Sequence, residues 1–193
     1  MEKHWGMAIK VERCFGCKAC VIACKSENYA QFASPDEIVE QDPVFWVRVH
    51  SEFSGSYPEF RARYYPLICR HCENPLCQEA CPSEAISRRQ DGIVIINQEN
   101  CNGCDACIAA CPYQIPQHNN KTDKAEMCNF CVHRVGDGKE PMCVIACPSK
   151  ALVFGDLNDR ESEVSSLVAS KKALKSPSDL TALPSVYLLD SSQ

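Results

Sequence analysis

Residues 101–112 read CNGCDACIAACP. Cys101, Cys104 and Cys107 follow one another at three-residue steps, Cys111 comes four residues later, and Pro112 closes the run. A step of four is about one helical turn, and IAA, which fills it, is short helix-forming material. The stretch therefore predicts a loop that presents three thiols, followed by a brief helix that carries a fourth thiol away from them. The pattern recurs. Cys14, Cys17, Cys20 and Cys24 form one group, Cys69, Cys72, Cys77 and Cys81 a second, and Cys128, Cys131, Cys143 and Cys147 a fourth. In every group the last cysteine stands four residues after the third, across VIA, QEA, IAA and VIA. All sixteen cysteines of the sequence are used and none is left over.

Three chemistries use closely spaced thiols. Disulfides staple small exported domains, but cysteines three residues apart are too crowded to pair with each other. Structural zinc takes two ligands from each of two knuckles, and the groups at 14–24 and 101–111 would leave a surplus thiol per knuckle. The spacing C-x2-C-x2-C-x3-C-P is that of bacterial iron–sulfur loops, in which three thiolates grip one cubane and the fourth serves another cluster. Residues 101–112 match it position for position. Gly16 and Gly103 stand just before the second cysteine of their loops. Positive φ or close backbone approach is expected there, turning amide N–H groups toward sulfur. An oxidised cubane with four thiolates carries a formal charge of about −2, so its burial demands such donors.

The bulk composition agrees. Cysteine makes up about one residue in twelve, a level at which covalent or metal staples shape a fold. The hydrophobic content of 45% includes those cysteines, and the remainder is thin for 193 residues. A net charge of −5 with interspersed signs argues against a nucleic-acid partner, which needs a basic face. MEKHWGMAIKVERC lacks the apolar core of a secretion signal. The twin Arg88-Arg89 is internal and reads as solvated surface. No run reaches the ~18 apolar residues of a membrane span. No nucleophile–base set, phosphate loop or dinucleotide fingerprint is present.

The connecting segments indicate how the groups pair. Between the second and third groups, Asp91-Gly92 marks a turn and IVII a strand, giving the hairpin expected between two halves of a small ferredoxin. CPSKALVFGDL after the fourth group echoes CPSEAI after the second, and MAIKVERC before the first echoes IVIINQENC before the third. Joined, the two flanks would rebuild the same unit. The expected fold is thus α+β: two nested bacterial-ferredoxin-like units of short helices and small β-hairpins. The inner unit spans 66–118 and the outer is assembled from 1–34 and 119–155.

CFGCKACVIACK, CRHCENPLCQEACP, CNGCDACIAACPY and CNFCVHRVGDGKEPMCVIACP together give the sequence a family resemblance. Over residues 7–155 it resembles the four-cluster iron–sulfur subunit of the molybdopterin oxidoreductases of the dimethyl sulfoxide, thiosulfate and polysulfide reductase type. The resemblance implies four [4Fe–4S] clusters. Cys14, Cys17, Cys20 and Cys147 would hold the first, nearest the catalytic subunit. Cys128, Cys131, Cys143 and Cys24 would hold the second. Cys69, Cys72, Cys77 and Cys111 would hold the third, and Cys101, Cys104, Cys107 and Cys81 the fourth. Some relatives carry a three-iron cluster where Cys104 is replaced; the cysteine here implies a cubane. One departure is Lys25, which follows Cys24 where the other groups have proline.

The remaining segments are read more coarsely. Residues 35–65 are an insertion in which VFWVRVHSEF and EFRARYY flank Gly55, predicting a hairpin. Phe45, Trp46 and Tyr64 are expected to cover a cluster rather than bind a partner. Residues 156–193 are expected to form a helix at 161–174, a loop, and an extended arm that docks on a partner subunit or closes the outer unit. His71 and His133 lie inside cysteine loops and read as donors beside a cluster or as surface groups; His4, His50 and His118 have no partner suggested by the sequence. Arg134 reads equally as a surface arginine or as a group near a cluster or interface.

The function expected is electron transfer, not catalysis by this chain alone. Single electrons would pass through four clusters between a molybdenum or tungsten–pterin catalytic subunit and a quinone-reactive membrane subunit in anaerobic respiration. The alternatives are a similar subunit of a hydrogenase, a formate dehydrogenase or a tungsten aldehyde oxidoreductase, and a free polyferredoxin. The expected location is peripheral on a membrane complex, periplasmic by co-export with its partner, or else cytoplasmic.

Overall fold

The computed structural model describes residues 2–29, 44–170, 173–174 and 179–190. In sequence order the elements are β1 (Trp5–Lys10), a 3-10 turn (Val11–Arg13), α1 (Ala19–Tyr29), β2 (Arg48–Ser54), β3 (Arg61–Leu67), α2 (Leu76–Glu79), β4 (Ile86–Arg88), β5 (Val94–Ile96) and α3 (Ala106–Ala110). There follow β6 (Gln117–Asn119), β7 (Lys124–Glu126), α4 (Val132–Gly136), α5 (Met142–Ile145), β8 (Leu152–Asp156), α6 (Glu163–Ser170), β9 (Ala173–Leu174), α7 (Asp179–Ala182) and β10 (Val186–Leu189). Short helices and short strands alternate, as in a ferredoxin-like α+β fold.

One four-stranded sheet, ordered β8-β1-β10-β9, joins the two ends of the protein. β1 runs antiparallel to β8, with Met7 opposite Phe154, and parallel to β10, with Met7 opposite Val186. Because strand side chains alternate between faces, Met7, Ile9 and Val11 enter the cysteine-bearing core while Ala8 faces Val164 of α6. Met7, Ala8 and Ile9 have no solvent exposure. The main core is laced with sulfur: Cys24, Cys69, Cys107, Cys128 and Cys143 are buried among its aliphatic residues. β4 and β5 pair antiparallel around the Asp91-Gly92 turn, and β6 pairs with β7. Gly92 has φ +85°.

β2 and β3 pair antiparallel from Arg48 opposite Leu67 to Ser54 opposite Arg61; residues 35–43 of the expected insertion lie outside the described residues. Tyr64 packs over Gly16, Trp46 Nε1 donates to Glu126 at 2.9 Å, and Lys25 Nζ lies 5.3 Å from the centre of the Phe45 ring. All three aromatic residues are thus placed against the protein itself.

Two expectations need correction. The helix expected at 161–174 is shorter. α6 ends at Ser170, and Ala173–Leu174 pair with Leu189 and Leu188 in the sheet, where strand hydrogen bonds replace helical ones. Arg88 is not simply solvated: its Nε is buried without a hydrogen-bond partner, whereas Arg89 is exposed and binds Asp91.

The C-terminal segment folds back over the second cysteine loop. Glu73 N–H donates to Leu183 O at 2.9 Å, Asn74 N–H to Ala182 O at 3.1 Å and Ser185 N–H to Arg70 O at 2.9 Å. Tyr113 Oη donates to Asp179 at 2.6 Å, and β10 then seals the edge of β1. Leu189 is fully buried, so Leu189→Ala should lower unfolding stability by about 2–5 kcal/mol through the cavity it leaves. Chemical denaturation followed by circular dichroism measures the change.

Candidate functional site

The cysteine loops are shaped by backbone that most residues avoid. Gly16 and Gly103 have φ of +74° and +71°. A Cβ at Gly103 would stand 2.3 Å from Asp123 O, and one at Gly16 would stand 2.7 Å from the Tyr64 ring. Several non-glycine residues share this left-handed region, among them Lys18, His71, Glu84, Asp105, Phe130 and Lys150. Such residues cost of order 1–3 kcal/mol each and need a compensating role. Their role here is to aim N–H groups at sulfur. His71 N–H points at Cys69 Sγ at 3.4 Å and Phe130 N–H at Cys128 Sγ at 3.5 Å. Glu84 and Lys150 turn the next N–H groups, of Ala85 and Ala151, onto Cys81 and Cys147 at 3.3 Å each.

The fourth thiol of each group leaves its loop. At Cys81, Cys111 and Cys147 the following proline disfavours helical backbone, and α2, α3 and α5 stop before these cysteines. Lys25 imposes no such stop, and α1 continues through Cys24 to Tyr29.

Electrostatic contacts gather the thiols in four sets. Cys14 and Cys20 each interact with both Cys17 and Cys147. Cys24 joins Cys128, Cys131 and Cys143. Cys111 joins Cys72 and Cys77, and both of these interact with Cys69. Cys81 joins Cys101, Cys104 and Cys107. Between sets, Cys20 interacts electrostatically with Cys24 and Cys143, Cys69 with Cys128, and Cys77 with Cys107. The sets therefore follow one another in a line. Cys17 in the first and Cys104 in the last are exposed, and the other fourteen cysteines are buried or partly so.

The environment suits an iron–sulfur group. Burial pushes the thiols up, to about 11 at Cys20, Cys72 and Cys107 and about 12 at Cys24 and Cys77. Cys69, Cys128 and Cys143 are raised as well, again chiefly by burial. Without metal these thiols hold their protons, so iron binding must release them. Burial also acts on Cys81 and Cys147, but the hydroxyls of Ser83 and Ser149 and nearby N–H groups outweigh it and lower both. Beside the first set, Cys14, Cys17, Cys20 and Cys147 line a cavity closed by Val49 and Pro66. Among the described residues no three His, Cys, Asp or Glu side chains converge on one ion. Thiols spread around a space, with N–H donors at their sulfurs, fit a multi-iron body.

The histidines take separate places. His71 is fully buried, its ring 3.7 Å from that of Phe130, and burial lowers it to about 3. Its Nδ1 accepts from Val94 N–H at 3.0 Å. His133 lies on the surface against Glu27 at 2.8 Å, and Arg134 reaches the same carboxylate at 3.3 Å. His118 binds Asp105, His4 meets Ser185 Oγ, and the His50 ring lies against Tyr65. The serine donors escaped the sequence reading, although CPSEA and CPSKA repeat the signal. Arg70 lies over the Tyr113 ring, near Cys72 and Asp179, without a local motif to announce it.

Residues 60–157 and 13–85 each match a family described as a 4Fe-4S dicluster domain. A polysulfide reductase polypeptide of Wolinella succinogenes is 37% identical, over 98% of this protein and 95% of its own length. The protein belongs to the iron–sulfur subunits of the molybdopterin oxidoreductases. A putative dimethyl sulfoxide reductase iron–sulfur subunit of Halobacterium salinarum is 35% identical over 97% of this protein and 79% of its own length. An anaerobic dimethyl sulfoxide reductase polypeptide of Escherichia coli is 37% identical over 88% and 82%. Two dicluster domains and sixteen cysteines mean four [4Fe–4S] clusters. The subunit transfers electrons within a reductase complex and works with a catalytic molybdopterin subunit.

Gly103→Ala forces a methyl group against a backbone carbonyl. The variant purified without oxygen should lose about four of its sixteen iron atoms, as iron and acid-labile sulfide assays will show. Gly16→Ala meets a side chain instead and should lose less.

Proposed function

We propose that this subunit is a four-step electron conduit between its catalytic partner and a quinone-reactive membrane subunit in anaerobic respiration. One observation carries the reading: the thiol sets run in an unbroken line whose only exposed cysteines, Cys17 and Cys104, belong to the two end sets. Electrons then enter and leave at the ends, while the middle is insulated from water.

In this reading each thiol set holds one cluster. Cys14, Cys17, Cys20 and Cys147 hold the cluster nearest the catalytic subunit; Cys24, Cys128, Cys131 and Cys143 hold the next. Cys69, Cys72, Cys77 and Cys111 hold the third, and Cys81, Cys101, Cys104 and Cys107 the last. Each cluster supplies a one-electron couple. The protein fixes the spacing of the clusters, surrounds the inner two with buried side chains, and supplies N–H and O–H donors that stabilise added negative charge. The two ferredoxin-like units are nested, the outer one built from 1–34 and 119–155 and the inner from 66–118. The antiparallel pairing of β1 with β8, alongside that of β4 with β5, supports this. Residues 35–65 are an insertion whose described part enters the β2–β3 hairpin, and residues 182–185 of the C-terminal segment close the fold over the second loop.

Among the described residues no helix is long and apolar enough to cross a membrane. In this reading a partner attaches the complex to the membrane, on the periplasmic face by co-export or else on the cytoplasmic face. The reductase subunits among the relatives favour this reading over a hydrogenase or formate dehydrogenase role.

Cys111→Ser tests the grouping. It should alter the electron paramagnetic resonance signal of the cluster that Cys72→Ser also alters, and leave intact the signal assigned through Cys101→Ser. Damage confined to the latter would overturn the nested assignment. Purification of the subunit from its native cells should also bring down a large subunit containing molybdenum or tungsten; recovery without either metal would count against the proposed partner.

A further inference from the structure

The missing proline after Cys24 has a structural result. Pro82, Pro112 and Pro148 end the other three helices, but α1 adds a further turn that carries Glu27 and Asn28. Asn28 stands four residues beyond Cys24, so its side chain lies on the same helical face. Its Nδ2 lies 2.9 Å from Cys24 O, an acceptor that the amide can meet only with its N–H, which fixes the amide orientation. The same nitrogen lies 3.5 Å from Cys24 Sγ and 3.9 Å from Cys131 Sγ. The same amide nitrogen thus serves the carbonyl and two sulfurs that come from distant parts of the sequence. Glu27 holds the arrangement by binding His133 and Arg134, both on α4, the helix that begins directly after Cys131.

We propose that Asn28 is a positioning residue that raises the reduction potential of the cluster held by Cys24, Cys128, Cys131 and Cys143, through an amide N–H shared between the Cys24 and Cys131 sulfurs. The proposal rests on the grouping of thiols given above. An electron arriving from a neighbouring cluster adds one negative charge to the iron–sulfur unit; no bond is formed or broken and no proton moves. A hydrogen bond to a charged acceptor strengthens as the acceptor gains charge, so the donor favours the reduced state. The cysteines near a serine hydroxyl, Cys81 and Cys147, belong to the two end sets. Asn28 supplies a comparable side-chain donor to an inner set. It thereby offsets part of the penalty that burial places on reducing that cluster.

The test uses the whole subunit with its partner, titrated potentiometrically under paramagnetic resonance. Cys24→Ser and Cys131→Ser first identify the cluster: both should alter the same signal, and if they alter different ones the grouping fails whatever Asn28 does. Asn28→Leu should then lower the reduced-to-oxidised ratio of that cluster about tenfold at fixed potential, about 59 mV for one electron. Asn28→Asp, of the same size but lacking the donor and carrying negative charge, should lower it further. The other three clusters should not move. If Asn28→Leu loses the cluster, Asn28→Ala replaces it, because the charge of Asn28→Asp would lower the potential even without a lost donor. An unmoved potential in the variants that retain the cluster, or an equal shift in all four clusters, overturns the proposal.

Discussion

A sulfur anion buried away from water is unstable unless neighbouring dipoles or metal ions compensate its charge. This protein buries sulfur throughout its core, with Cys69, Cys128 and Cys143 each under 8% exposed. The rest of the fold follows from that requirement. Left-handed residues recur in the cysteine loops because that geometry turns N–H groups inward. Short helices deliver a fourth thiol across a gap that the loop cannot span itself. The cost of so much unusual backbone is offset by what the sulfurs hold.

The same solution is used twice, with measurable fidelity. Cys81 and Cys147 lie 3.6 Å from the hydroxyls of Ser83 and Ser149, and each accepts from an alanine N–H at 3.3 Å. These two cysteines are the crossing thiols of the CPSEA and CPSKA segments, and each leaves its own loop for an end set. The crossing thiols of the first and third groups, Cys24 and Cys111, go to inner sets and are not followed by the Pro-Ser pair. Lys25 and Ser26 follow Cys24, while Pro112 and Tyr113 follow Cys111. Local sequence after the crossing cysteine therefore distinguishes end from middle. The difference in donors is a difference in how readily each site accepts charge.

Much of this was legible because it is local. Cysteine spacing identified the chemistry, and Gly16 and Gly103 marked turns that need positive φ. The strand at IVII and the turn at Asp91-Gly92 carried their own signals. What escaped depends on distant pairing. The contacts of Arg70 with Tyr113 and Val186 have no sequence signature. Nor does the lie of residues 182–185 along the second cysteine loop. The helix expected through 174 ends early because a strand partner claims Ala173 and Leu174, which helix propensity does not foresee. Asn28 was missed for a related reason. A missing proline reads locally as a lost stop, and only the side-chain bonds from α1 to Cys131 and α4 show what the extra turn reaches.

The centre of the molecule shows how insulation and contact are reconciled. His71 lies between Cys69 and Cys72, and Phe130 between Cys128 and Cys131, so their rings, in contact and tilted by 32°, bridge the loops of the two inner sets. Burial keeps the imidazole neutral, with a pKa of about 3. The bridge therefore adds no positive charge that would favour one inner set over the other. Phe130 continues edge-on to Phe154, which stacks on Trp5, each at 5.2 Å. That aromatic row ties the loops to the β1–β8 pair. The rigid wall excludes water from the middle of the line, while the Cys69 and Cys128 thiols remain close enough to interact. An electron conduit needs both properties at once: centres near enough to exchange charge, and surroundings stiff enough that little reorganises when they do.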